Sequence, residues 1–302
     1  MRGYQMRYSR NKVTGDYMKT LKKDGIYYAF LIPSVILFVF AFLYPFVTGV
    51  NIAFTDWDGI SAEYNYIGLK NFFDIFKDTT IRKAIANTLI FAVGYTAINN
   101  VLALGLAVLL NQKFKGQNFC KTVFFIPMAL SAVLASFLWT FIDSKIYATF
   151  LSPSGRSILG NPSTVLLGII IIGLWNAIGS NIMIYIAGLT NIPADYYEAA
   201  AIDGASGWKR FRYIILPLLG PSFTMCITLT LTSSLREFAT VMAATGGGPA
   251  NSSETVAIFI YKNLFQYYKA GYGQAVAIIF MVLLMVIGIS LQRFFRSKEV
   301  EM

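Results

Sequence analysis

The sequence contains no histidine, which removes the side chain most used as general base, proton relay or metal ligand near neutral pH. Cysteine is almost as scarce. Cys120 and Cys226 lie beside or inside apolar runs and not in short spaced pairs, so neither a disulfide framework nor a zinc site is indicated and both read as packing residues. Charge is the third shortage: 13% of the 302 residues are Asp, Glu, Lys or Arg, against 56% hydrophobic. That is too little polar surface to cover a soluble globule of this size, and membrane is the natural solvent. Gly246, Gly247 and Gly248 precede Pro249 without a following Lys-Ser/Thr or a preceding strand, so they form no phosphate-cradling loop and read as a chain reversal at a helix end. With no clustered nucleophile, base or metal ligands, a membrane-bound enzyme has no machinery here.

What the chain does have is long apolar runs. A helix needs about 20 residues to cross a hydrocarbon core, and such runs occur at 27 to 50, 85 to 110, 121 to 142, 163 to 191, 214 to 241 and 274 to 296, predicting six spans. The first follows Lys19, Lys22 and Lys23 but is too long for a signal-peptide core and lacks a small-residue cleavage site, so it reads as a retained anchor. The net charge of +10 is spread by topology and not interleaved with aromatics on one face, which argues against nucleic acid. The N-terminal tail, the 111 to 121 and 192 to 213 loops and the C-terminal end from Arg293 onward hold 16 of the 25 basic residues. By the positive-inside rule these segments, including both termini, are expected in the cytoplasm.

The longest polar island between apolar runs is Asp195 to Pro217, DYYEAAAIDGASGWKRFRYIILP. Asp195 with Glu198 three residues later predicts a capping box. Ala199, Ala200 and Ala201 favour a smooth short helix. Asp203-Gly204 should break it, since Gly tolerates the positive φ of a sharp turn. Trp208, Phe211 and Ile215, with Lys209, Arg210 and Arg212 between them, predict an amphipathic second helix. By composition alone such a segment could lie on anionic headgroups.

The order of residues resembles, nearly position for position, the EAA loop of binding-protein-dependent ABC importer permeases, through Glu198, Ala199, Ala200, Asp203, Gly204, Ala205, Leu216 and Pro217. Other stretches resemble the carbohydrate-uptake branch of that family, the maltose and glycerol-phosphate type. They are FTDWDG (Phe54 to Gly59), IGLKNF (Ile67 to Phe72), NTL (Asn87 to Leu89), LLNQKFKG (Leu109 to Gly116), FFIP (Phe124 to Pro127), TGGGP (Thr245 to Pro249), IYKNLF (Ile260 to Phe265) and GYGQAVA (Gly271 to Ala277). The Asp143 to Pro162 loop departs from the family in lacking its Gly-x-x-Asn pattern.

The resemblance implies an all-α integral membrane subunit of the type I importer fold in a bacterial plasma membrane. A cytoplasmic tail (1 to 26) and tail (297 to 302) would flank a six-helix permease domain (27 to 296) with a coupling helix at 195 to 210. It implies no cofactor on this chain, ATP and Mg being bound by a cytoplasmic ATPase dimer into which the coupling helix docks. It further implies a second homologous permease subunit, and an extracytoplasmic binding protein delivering an oligosaccharide or related sugar to the 51 to 83, 143 to 162 and 242 to 273 loops. Glycerol phosphate is an alternative cargo. An ion-coupled secondary transporter is an alternative class, for which the spans offer little titratable material beyond Glu237.

Polar or small residues inside spans mark where a sugar could pass. Gly173, Asn176, Ala177 and Ser180 share a face at three- and four-residue spacing, flanked by Trp175 and Asn181. Thr230, Ser233, Ser234 and Glu237 are expected to do the same in the fifth span. Amides, hydroxyls, a carboxylate and an aromatic suit sugar hydroxyls and ring faces, although small-residue stripes also serve helix packing. Arg236, adjacent to Glu237, could snorkel to the outer interface.

Overall fold

The computed structural model describes residues 30–153 and 155–296; the tail expectations at 1–26 and 297–302 lie outside them. The described residues are helical, with only an isolated bridge between Thr55 and Tyr66. In chain order the helices are α1 (Phe30–Ile52), α2 (Lys70–Lys77), α3 (Thr79–Leu110), α4 (Gln117–Ala129), α5 (Ala132–Leu151) and α6 (Val165–Thr190). There follow α7 (Ala194–Ile202), α8 (Gly207–Leu218), α9 (Gly220–Ser234), α10 (Ala239–Ala244), α11 (Val256–Phe265) and α12 (Ala270–Arg296). α1, α3, α6 and α12 are long and apolar enough to cross a membrane, and the α4–α5 and α8–α9 pairs make six if each bent pair is one span.

The bends follow from local chemistry. α4 meets α5 at 101°, where Pro127 cannot donate and the Ser131 hydroxyl accepts from the Leu134 N–H to start a new helix. α8 meets α9 at 68° between Pro217 and Pro221, two positions without an N–H. The second span begins earlier than its apolar run, at Thr79, because Asp78 accepts from the Thr80 N–H at 2.7 Å and caps the helix. The fifth span is shorter than expected: α9 stops at Ser234, and the predicted 214 to 241 run is interrupted before α10.

α3 packs along α6 and both contact α9, forming the middle of the bundle. Near α7 the core contains Ala103, Ala107, Ile182, Tyr185, Leu189 and Leu219. Farther along it contains Phe91, Ile169, Ile172, Val241 and Ile258, and at the opposite end Ala53, Ile81, Val256, Phe259 and Val276. The helices approach closely where side chains vanish: a Cβ on Gly188 would lie 2.1 Å from Ser222 Oγ, and one on Gly179 2.7 Å from the Phe124 carbonyl. The outside is the reverse of a soluble protein. Phe40, Phe42 and Val286 are more than half exposed, and the apolar window of α1 buries none of its residues within the chain. Such a belt is stable against lipid or other apolar protein, not against water.

Candidate functional site

Two assemblies lie along the bundle: an exposed knuckle at one end and a polar column in the middle. The knuckle is α7 and the turn into α8. The predicted capping box is not formed. Pro193 opens the helix at Ala194 with no side-chain cap, so Asp195 falls in the first turn, where its charge still complements the helix N-terminus. The expected break does occur. The Ala205 N–H donates to the Ala200 carbonyl at 2.9 Å and the Gly204 N–H to the Ala201 carbonyl at 3.2 Å, a Schellman motif with Gly204 at φ +65°. Ser206 then accepts from the Lys209 N–H to start α8. The segment 195 to 210 is thus two helices around a turn, not one.

α7 meets the bundle on one side only. Ala200 is buried and Tyr197 and Ala205 are half-buried, whereas Glu198, Ala199, Asp203 and Gly204 are exposed. The guanidinium of Arg210 sits 5.8 Å from the Tyr197 ring centroid, tying α8 back to α7. Burial pushes the Tyr197 phenol up from its usual range, with Arg210 opposing. Ile202 is 87% exposed and Trp208 71%, so an apolar tip projects from the end of the molecule.

The polar column joins three helices. Asn181 on α6 donates to Asn99 Oδ1 on α3 at 2.7 Å and to Thr230 Oγ1 on α9 at 2.9 Å. One turn away Tyr185 donates to Asn100 Oδ1 at 2.7 Å, and the Asn100 amide returns to the Thr96 carbonyl. These groups are buried, and their donors and acceptors are largely matched. Asn99, Asn100 and Tyr185 were not singled out in the sequence, although adjacent amides inside a span carry the same signal that singles out Asn176 and Glu237.

The sequence-selected residues fall around this column in different settings. Gly173 lets Tyr95 approach, since a Cβ there would lie 2.9 Å from the ring. Asn176 donates to the Pro127 and Leu130 carbonyls at 2.9 and 3.1 Å, satisfying the backbone freed at the α4–α5 bend. Half-buried Ala177 accepts from the Ser180 hydroxyl at 2.7 Å, and Trp175 packs edge-on against Trp139.

The fifth-span residues do not share one face. Thr230 and Ser234 point into the bundle while Ser233, about 100° round the helix, is exposed. Glu237 lies beyond the end of α9, not within a helix. Its Oε1 accepts from the Thr240 N–H at 2.8 Å and caps α10. The Thr255 hydroxyl donates to the Glu237 carbonyl at 3.0 Å and holds the break. No group of three or more His, Cys, Asp and Glu residues that could hold a metal occurs among the described residues.

At the opposite end from α7, residues 245 to 255 are tied to the start of α3. Lys83 donates to the Ala250 carbonyl at 2.7 Å and Asn87 to the Asn251 and Glu254 carbonyls at 3.0 and 3.1 Å. Lys262 forms an ion pair with Glu254.

Comparison with known proteins places these features in context. Residues 99–299 match the family described as binding-protein-dependent transport system inner membrane component. The chain is 34% identical over 285 residues to the "Probable starch degradation products transport system permease protein AmyD" of Thermoanaerobacterium thermosulfurigenes, covering 93% of this chain and 97% of that one. It is 31% identical to the "Multiple sugar-binding transport system permease protein MsmF" of Streptococcus mutans, covering 87% and 92%. It is 30% identical to the "sn-glycerol-3-phosphate transport system permease protein UgpA" of Agrobacterium fabrum, covering 85% and 89%. The fold matches a chain of a bacterial ABC transporter involved in the import of the acidic polysaccharide alginate, with a TM-score of 0.80, 23% identity, and 92% and 98% coverage.

Proposed function

We infer the function from one premise: the chain belongs to the family of binding-protein-dependent transport system inner membrane components. It is a membrane-spanning permease subunit of an ATP-driven sugar importer. The relatives named for starch degradation products and multiple sugars, matched over nearly their whole length, support the cargo class.

The observation that carries the mechanism is the one-sided burial of α7, with Ala200 against the bundle and Glu198, Ala199, Asp203 and Gly204 turned outward. A helix fixed on one face and bare on the other suits docking into a cleft of a second protein. In this reading an ATPase pair binds ATP and Mg and moves the knuckle, with Glu198, Ala199, Ala200, Asp203, Gly204 and Ala205 as the transmitting segment. This chain binds no cofactor and catalyses no reaction. The α8–α9 bend passes the motion to α9, α3 and α6, and the pathway alternates between inward- and outward-facing states.

A second, related permease completes the pathway, against the face bearing exposed Ser233 and the Glu237 break. An extracytoplasmic binding protein docks at the end opposite α7. Both termini and α7 lie on the cytoplasmic side of a bacterial inner membrane, consistent with the distribution of Lys and Arg.

Reconstitution tests the proposal. Proteoliposomes holding both permeases, the ATPase pair and the receptor should accumulate labelled neutral oligosaccharide only when ATP is supplied on the α7 side. Accumulation driven instead by an ion gradient without nucleotide contradicts it. A glycerol-phosphate cargo, favoured by the likeness to UgpA, would appear as ATP-dependent uptake of that ester and not of sugar.

A further inference from the structure

At the end of the bundle opposite α7, the 54 to 66 loop, α2 and the start of α3 border an open cavity of about 730 Å³ with the α11–α12 turn. Its size falls within the range that small-molecule sites occupy. Its lining is chemically mixed in a particular way.

Five aromatic rings border it, Trp57, Phe259, Tyr267, Tyr268 and Tyr272, the last donating its hydroxyl to Asp78 at 2.9 Å. The Trp57 indole N–H donates to the Ser61 carbonyl at 2.8 Å, which satisfies the polar edge and fixes the ring. Tyr267 and Tyr268 are 52% and 57% exposed. Tyr268 has φ +53°, the left-handed region that a bulky side chain rarely adopts. Hydrogen bonds on either side hold it there, from the Tyr267 N–H to the Lys262 carbonyl at 2.8 Å and from the Lys269 N–H to the Asn263 carbonyl at 2.9 Å. A glycine would meet the backbone requirement without strain; a tyrosine there places a ring beside the cavity instead.

Between the rings lie both signs of charge. The lining includes Asp56, Asp74 and Asp78 together with Lys70, Lys77 and Lys269, and it carries no net charge at neutral pH. None of these lysines is ion-paired, since the one ion pair among the described residues is Lys262 with Glu254. Exposed Asn251 adds an amide, whereas the buried Asn71 amide already donates to the Ala53 and Thr55 carbonyls at 2.9 and 2.8 Å. Balanced donors and acceptors beside aromatic faces fit a ligand with many hydroxyls, apolar ring faces and no charge. An anionic ligand gains nothing net from such a lining.

We propose that this cavity is a loading subsite for a neutral carbohydrate, occupied after the sugar leaves its receptor and before it enters the bundle. The proposal rests on the sugar-import reading and adds that the cargo is uncharged. The cavity lies beside the outer end of α3 and the head of α12, and Gly271 lets α12 approach the 54 to 66 loop: a Cβ there would lie 2.1 Å from the Thr55 carbonyl.

The test uses the reconstituted complex with neutral gluco- and galacto-oligosaccharides, and an oligouronate as the charged probe. Tyr268→Gly removes the ring and relieves the backbone, so folding is preserved; Tyr268→Phe keeps the ring. Loss of one stacked ring should raise the sugar concentration for half-maximal uptake about fivefold in Tyr268→Gly, with Tyr268→Phe near wild type. The receptor concentration that half-stimulates ATP hydrolysis should match wild type in Tyr268→Phe and, in Tyr268→Gly, shift less than the sugar half-saturation does. Unchanged uptake in Tyr268→Gly overturns the subsite. A parallel shift in receptor half-saturation overturns it in favour of a protein-docking surface, and preference of wild type for the oligouronate overturns the neutral-ligand assignment. A wild-type complex that moves neither class of sugar defeats the import reading itself, a result distinct from all of these.

Discussion

The side-chain amide of Asn181 donates to Asn99 Oδ1 at 2.7 Å across the interface between α6 and α3, with both residues buried. Asn181 also holds Thr230 Oγ1, so one side chain fixes the registry of three helices. Replacing Asn181 by Leu leaves Asn99 Oδ1 without its donor and should destabilise the purified subunit by ~1 kcal/mol. A double-mutant cycle with Asn99→Leu, read by thermal unfolding in detergent, should return a coupling of similar size. Additive effects would mean the bond contributes nothing measurable.

Gly204 occupies the left-handed C′ position of α7 at φ +65°. Gly204→Val should destabilise the knuckle by about 1–2 kcal/mol, while an alanine at the normal-φ Gly207 should be tolerated, since a Cβ there meets nothing within 4 Å. Hydrogen exchange of residues 194 to 206 distinguishes the two, with faster exchange expected only for Gly204→Val.

Ile202 is 87% exposed at the tip of α7 and contributes little to the permease core. Ile202→Asp should leave its thermal stability within about 0.5 kcal/mol of wild type yet weaken ATPase co-purification roughly tenfold or more. Equal recovery of ATPase with both proteins would show that the partner docks elsewhere.

Glu237 separates two roles by substitution. Glu237→Gln keeps an oxygen for the Thr240 N–H and so preserves the cap on α10, whereas Glu237→Ala removes it. The alanine variant should lose ~1 kcal/mol of stability and all sugar uptake while still assembling. The glutamine variant should be as stable as wild type but transport poorly, the result expected of a carboxylate that contacts the cargo. Full transport by the glutamine variant would reduce Glu237 to a helix cap.

Asp58 accepts from the Ser61 hydroxyl and from the Ile60 and Ser61 N–H groups. These bonds, the hydroxyl first, hold its carboxyl down at about 2. Asp56 is likewise lowered, chiefly by the Asn65 N–H. A lowered folded-state pKa gives loop stability that is complete above the unfolded value of about 4 and is lost as pH falls through the folded value. Amide exchange of residues 58 to 66 should therefore quicken between about pH 4 and pH 2, and Asp58→Asn should quicken it already at neutral pH. A loop in Asp58→Asn as protected as wild type would contradict this.

Much of the fold was written locally. Apolar run length gave the spans, and Asp203-Gly204 gave the break after α7, because a φ of +65° has few occupants but glycine. What escaped prediction depended on distant partners or competing local signals. The end of α9 at Ser234 contains neither Gly nor Pro; its break is held by Thr255 from another loop. Asp195 lost the cap position because Pro193, with fixed φ, took it and started the helix two residues sooner. Pro127 and Ser131 did signal the bend between α4 and α5, but their apolar surroundings read as one straight span. α2 and α11 were too short to register by hydropathy. For the candidate site, the exposed pattern of α7 was legible from the order of its residues. Asn176 shows why pathway residues are harder: an intramembrane amide can face a sugar or, as at Pro127 and Leu130, repair a broken helix.

The central claim is that α7 transmits work from a nucleotide-binding partner, and the most direct measurement is ATP-dependent uptake by proteoliposomes in which residues 195 to 210 have been scrambled. With the permease pair and receptor unchanged, uptake and receptor-stimulated ATP hydrolysis should both vanish. Sugar accumulation at the wild-type rate, with no nucleotide consumed, would contradict the account.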